Sequence, residues 1–294
     1  MSAADTNGGQ RPKRPLWSWR LLTLVALWVI GAVVLREQGA APFVERWPLF
    51  FVAIFGAIVG NATAVGGGLV FVPYMILFED LDPLQSLELA LVVQAFGMTS
   101  GAVAWFRRGA VPRHGLGFML CGLFLGCAIG TFVVAPNALL VKSAFGPVSI
   151  GIGLLVWFLA DVHGRENDFP HRALPLLVGA CALGGLLTSW VAIGAGEVVA
   201  AVLMAGLRVR AERAVALGVV LLSSASIALG AYYAWRGGVP WDLAVVMVPG
   251  VVLGARVAPT LVGLLPEKGL KRLFAFIAIA DGLLFTLQAL GILG

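Results

Sequence analysis

Apolar runs of membrane-spanning length follow one another along almost the whole chain: Leu16–Leu35, Pro48–Phe78, Leu89–Phe106, Gly115–Ala135, Ser143–Ala160, Ala173–Met204, Ala214–Trp235, Leu243–Gly263 and Leu273–Leu293. A helix needs about 20 apolar residues to cross a hydrocarbon core roughly 30 Å thick, so each run predicts a membrane segment. Two are too long for one straight crossing. Pro48–Phe78 and Ala173–Met204 each exceed 30 residues and carry glycines and small polar residues at the middle, GNATAVGGGLVFVP in one and LLTSWVAIGAGEVV in the other.

These two runs belong to an internal repeat with an offset of 128 residues. The offset sets Gly66 and Gly68 on Gly194 and Gly196, then Arg108, Gly109, Val111 and Pro112 on Arg236, Gly237, Val239 and Pro240. It also sets Gly122, Leu125 and Gly126 on Gly250, Leu253 and Gly254, with 14 identities in the 66 positions from Asn61 to Gly126. Hydrophobic composition alone explains scattered identities, but not a motif, a loop and a later helix held in one register.

Charge chooses between two topologies. If each long run is a hairpin of two half-helices that returns to its starting side, the basic loops 107–113, 165–172, 208–213 and 268–272 join the N-terminal tail on one side. Fifteen of the 20 basic residues then lie there and four opposite, with Arg256 inside the membrane. Loops retained in the cytoplasm are enriched in Lys and Arg, so the hairpin topology is the expected one. It makes the first hairpin enter from outside and the second from the cytoplasm. The two halves are then inverted, as in many secondary transporters.

The expected fold is therefore an all-α polytopic membrane protein of two inverted four-segment halves, residues 48–161 and 173–293. Each half opens with a re-entrant helix hairpin. Before them come a disordered cytoplasmic tail over 1–15 and an additional transmembrane helix over 16–36. That helix follows basic residues as a signal peptide would, but its apolar run is long and Arg36 and Glu37 stand where a small-residue cleavage site belongs.

Composition narrows the function. The 294 residues are 60% hydrophobic and 12% charged, about half the charge of an ordinary soluble domain. The net charge of +5 comes from short clusters between apolar runs, which excludes a nucleic-acid partner as its explanation. Cys121, Cys127 and Cys181 fall inside apolar runs without metal-ligand spacing and read as packing residues. His114, His163 and His171 fall in loops and read as solvated. The chain has no HExxH, no phosphate-binding P-loop and no Cys/His cluster, so no cofactor, metal, ATP-driven or enzymatic role is expected.

The polar residues inside the runs carry the candidate chemistry. Backbone that leaves helical geometry in lipid survives only against protein or a water-filled cavity, and a half-helix that restarts there presents free N–H groups and partial positive charge to an anion. The expected substrate site is Gly66, Gly67, Gly68, Gly194 and Gly196 at the hairpin tips. Asn61, Thr63, Thr188 and Ser189 are expected to donate hydrogen bonds from those tips, and Gln94, Thr99 and Ser100 are weaker candidates. Close packing of small residues is the competing reading of the glycines. Glu197 directly follows the second motif; it either titrates to couple protons to the anion or caps its own half-helix. Arg256 supplies a fixed charge for the substrate, pairs with Asp281, itself a second coupling candidate, or snorkels to the surface. Trp190 either walls the cavity or packs in the core.

The GGG run followed by Val and Pro, the GAG of the second half, the RG-x-V-P loops and the GLFLG and GVVLG helices resemble the sulfite exporter TauE/SafE permeases from about Pro48 to Leu293. The resemblance implies an exporter of a small sulfur oxyanion or organosulfonate, such as sulfite or sulfoacetate. It also implies a multi-pass protein of the bacterial inner membrane, its N-terminus cytoplasmic and C-terminus periplasmic, with protons or another ion as coupling partner. The second motif departs at Ala195, where the first has a glycine, and at Ala201, opposite Pro73, so the two hairpins need not be equivalent. A gated anion channel would share these motifs, and a membrane-embedded assembly factor would need polar residues the chain lacks. Oligomeric state leaves no trace in the sequence.

Overall fold

The computed structural model describes residues 44–159, 168–264 and 267–289. The tail and the additional helix expected before residue 37 lie outside them, as does His163. Among the described residues the chain is all helical, and six helices are long and apolar enough to cross a membrane.

Each overlong run is two helices. The first divides into α1, Pro48–Thr63, and α2, Gly68–Phe78. Then come α3, Pro83–Arg107, α4, Leu116–Ala128, and α5, Ala138–Leu159. Asp82 starts α3 by accepting the Leu84 N–H at 3.0 Å, with Pro83 in the first turn, a favoured pairing because that turn has no intrahelical partners for its amides. The second overlong run divides into α6, Leu174–Val191, and α7, Ala195–Ala201. The chain continues through α8, Ala211–Arg236, α9, Trp241–Leu264, and α10, Glu267–Ala289. Both α4 and α7 end in a wide π-helical turn, Ile129–Val133 and Val202–Gly206.

Burial shows which helices are central. In their most apolar stretches α8 is 78% buried and α3 67%, and these two pack against each other. Outer helices carry exposed bulky residues instead: Phe51 and Phe55 on α1, Phe118 and Leu125 on α4, Phe158 on α5. So wide an apolar exterior fits lipid and not water.

Glycine lets the outer helices lie against the long-run helices at backbone distance. A β-carbon at Gly122 or Gly126 of α4 would press on the carbonyl oxygens of Val178 or Ala182 in α6. A β-carbon at Gly250 or Gly254 of α9 would press likewise on those of Phe50 or Ile54 in α1. Every member of the second set stands 128 residues from its counterpart in the first. Helices in lipid gain little from hydrophobicity on associating, so such small-residue contacts hold them together.

Gly126→Val and Gly254→Val should each lower thermal stability in detergent, by about 1–3 kcal/mol of overpacking. Gly151→Val, whose added side chain meets open space, should be near neutral on the same melting curve.

Candidate functional site at the helix breaks

The two breaks begin alike. α1 stops at Ala64, φ 64° and ψ 14°, and α6 stops at Ala192, φ 59° and ψ 13°. Left-handed alanine costs about 1–2 kcal/mol, so surrounding contacts must hold both turns. The chain then passes through a glycine at positive φ, Gly66 at 80° and Gly194 at 130°, a region that residues with a β-carbon rarely enter. It restarts as helix at Gly68 in one break and Ala195 in the other.

The breaks touch, and the contact is reciprocal. A β-carbon on Gly68 would stand 2.7 Å from the Ala192 carbonyl oxygen and 2.8 Å from the Ala192 methyl. A β-carbon on Gly196 would overlap the Ala64 carbonyl oxygen. Gly218 of α8 backs the contact, facing the Ala64 methyl and the Gly196 carbonyl. The residues from Ala64 to Leu69 and from Val191 to Glu197 are all buried.

Side chains satisfy the main-chain groups that the breaks release. Gln94 of α3 reaches both breaks. Its Oε1 accepts the Gly68 N–H at 2.9 Å, and its Nε2 donates to the Ala192 carbonyl at 3.2 Å and to Ser226 Oγ of α8 at 2.9 Å. The second break is capped from within. Glu197 Oε2 accepts the Gly194 N–H at 2.8 Å and Thr188 Oγ1 accepts the Ala195 N–H at 2.9 Å. Glu197 is 3% exposed, and its Oε1 has no partner among the described residues.

The expected donors are engaged with their own helices. Asn61 Nδ2 donates to the Ala57 carbonyl, Thr63 Oγ1 to Val59, Thr188 Oγ1 to Gly184 and Ser189 Oγ to Leu186. Such local bonding is common for these residue types in helices. Thr99 Oγ1 bonds the Ala95 carbonyl and Ser223 Oγ, tying α3 to α8.

Arg256 belongs to a different helix from the tips. On α9 it donates from Nε to Ser100 Oγ at 3.4 Å. Asp281 lies on α10, and its side chain is outside those described, as its pairing with Arg256 therefore is. Trp190 donates to the carbonyls of Gly130 and Val134, holding α6 to the π-helical end of α4. His114 is less solvated than its loop suggested: its ring packs edge-on to His171 at 3.8 Å between centroids, and its Nε2 is buried.

Gln94, a weaker candidate by sequence, links both breaks, and its partner Ser226 was not a candidate. Gln94 carries one faint signal, a carboxamide in the middle of an apolar run where the repeat places Leu222. Ser226 carries none.

Six helices long and apolar enough to cross a membrane, with two buried backbone interruptions in contact, make this a polytopic membrane protein. Residues 49–285 match the sulfite exporter TauE/SafE family, and the chain belongs to that family. It is similar to a protein of Haemophilus influenzae called "Probable membrane transporter protein", 25% identical over 74% of this chain and 86% of the relative. It is also similar to the "Probable membrane transporter protein YunE" of Bacillus subtilis, 22% identical over 80% of this chain and 94% of the relative. No solved structure matches it.

Gly68→Ala and Gly196→Ala should each push the breaks apart and cut transport at least tenfold, with membrane insertion retained. Gly117→Ala, whose added methyl meets open space, should transport normally in the same vesicle assay.

Proposed function

We propose that the chain is a secondary transporter that exports a small sulfur-containing anion, sulfite or an organosulfonate such as sulfoacetate. In this reading the breaks are the tips of two re-entrant hairpins in two inverted halves, and the anion binds where they meet. The observation that carries it is the reciprocal contact of Gly68 with Ala192 and of Gly196 with Ala64, which brings two helix starts to one buried point. The amides at such starts, with the partial positive charge of the helix end, attract an anion without any fixed cation. The family match supports the transporter class and suggests sulfite. Export follows from the same family, and the inner membrane from the positive-inside count.

Glu197 is the proposed coupling residue. An ionised carboxylate beside a bound oxyanion repels it, the more strongly the less water lies between them. Anion and proton therefore bind together and cross together, with the Glu197 proton on the oxygen that Gly194 leaves free. Arg256, near the edge of the site by way of Ser100, draws anions toward the crossing.

Flux in proteoliposomes tests the function. A carrier shows saturable sulfite flux and counterflow; large unsaturable conductance without exchange would instead indicate a channel. Wild-type flux should rise as the loading side is acidified. Glu197→Gln, neutral at every pH yet still able to accept the Gly194 N–H, should flatten that profile. An unchanged profile in the variant would remove proton coupling through Glu197.

A further inference from the structure

The breaks differ in what occupies their amides. At the second, both acceptors come from residues joined closely in sequence to the break: Thr188, four residues before Ala192, and Glu197, three after Gly194. They form a cap that stays with the helix they start. At the first, the Gly68 amide is held by a residue of a different helix, Gln94 of α3. The repeat offers no counterpart, because the equivalent position of α8 is Leu222, and a β-carbon on Gly66 would stand 2.7 Å from both Gln94 Oε1 and Leu222 Cδ2.

We infer that Gln94 sets the specificity of the anion seat: its carboxamide oxygen holds the Gly68 amide in the empty transporter, and a substrate oxygen displaces it. The inference rests on reading the crossing of the breaks as the transport site. Only one orientation of the carboxamide fits, since the Gly68 N–H can only donate and the Ala192 carbonyl can only accept. The oxygen of Gln94 therefore stands where an anion's oxygen would stand, in a side chain 1% exposed. That amide opens α2, a helix of 11 residues, enough for a helix start. The facing break adds an independent sign of a ligand. Among the described residues Glu197 Oε1 is enclosed and has no hydrogen-bond partner, although buried polar atoms almost always have one; protonated, it can donate to a ligand oxygen at the facing break.

A placeholder of this kind sets a threshold. A hydrogen bond from an N–H to a charged oxygen is roughly twice as strong as one to a neutral oxygen. A sulfur oxyanion therefore wins the Gly68 amide from Gln94, and a neutral molecule with the same sulfonyl oxygens does not. Displacement also loosens the bonds from Nε2 to Ala192 and Ser226, the links by which α3 joins the second break and α8. Arrival of the anion thus frees the two halves to move relative to each other.

The test is sulfite flux by the full chain in proteoliposomes, with dimethyl sulfone as neutral competitor. Gln94→Leu, and Gln94→Met as a second variant should the first not fold, remove the placeholder. The KM for sulfite should then fall about fivefold, the worth of one neutral hydrogen bond, and dimethyl sulfone should inhibit the variant while leaving the wild type untouched. A purely structural glutamine would lower Vmax or yield and leave KM and selectivity alone. A KM equal to or above wild type in a folded variant overturns the inference. Absence of saturable anion flux in the wild type would instead overturn the proposed function beneath it.

Discussion

A helix that breaks inside a bundle of membrane-crossing helices releases amide and carbonyl groups that lipid cannot satisfy. That constraint organises the centre of this molecule. Two breaks occur, each at an alanine in left-handed geometry, and buried side chains take the Gly68 amide of one and the Ala192 carbonyl and the Gly194 and Ala195 amides of the other. Gln94 is the hinge of this economy of partners, joining an amide of one break, a carbonyl of the other and a serine of α8. Small residues at Gly68, Gly196 and Gly218 bring the breaks close enough for one carboxamide to reach both.

The surrounding helices follow from the same requirement. α3 and α8 run through the middle and enclose the breaks, and α4 and α9 clamp α6 and α1 from outside through glycines that recur at the repeat offset. Helices packed backbone to backbone leave little slack, so a rearrangement at the breaks is carried by whole helices. In the proposed mechanism this stiffness turns the exchange of one hydrogen-bond partner into a change of access.

Much of the architecture was legible in the residues. Excess length marked both broken runs, their central glycines placed the breaks, and the 128-residue register paired Gly122 and Gly126 with Gly250 and Gly254; the left-handed turns at Ala64 and Ala192, at alanines instead of glycines, were not foreseen. The site was less legible. Asn61, Thr63, Thr188 and Ser189 suggested donors, but a side chain's bond to its own preceding turn is decided by rotamer, which spacing does not reveal. Gln94 looked like an ordinary polar residue in a helix because its partners lie at Gly68, Ala192 and Ser226, up to 132 positions away. Glu197 was readable either as cap or as titrating group; the structure shows the cap, and its Oε1, without a hydrogen-bond partner among the described residues, is what the coupling proposal builds on. The π-helical ends of α4 and α7 left no pattern in the sequence.

The central claim is that an anion is held by main-chain amides where the two breaks meet. Crystals of the full chain soaked with selenite, whose selenium scatters anomalously and whose oxygens match those of sulfite, test it most directly. The account predicts an anomalous peak within about 4 Å of the Gly68 amide nitrogen, lost when sulfite is added in excess. A saturable peak elsewhere, at Arg256 or in a basic loop, with the crossing empty, would contradict it.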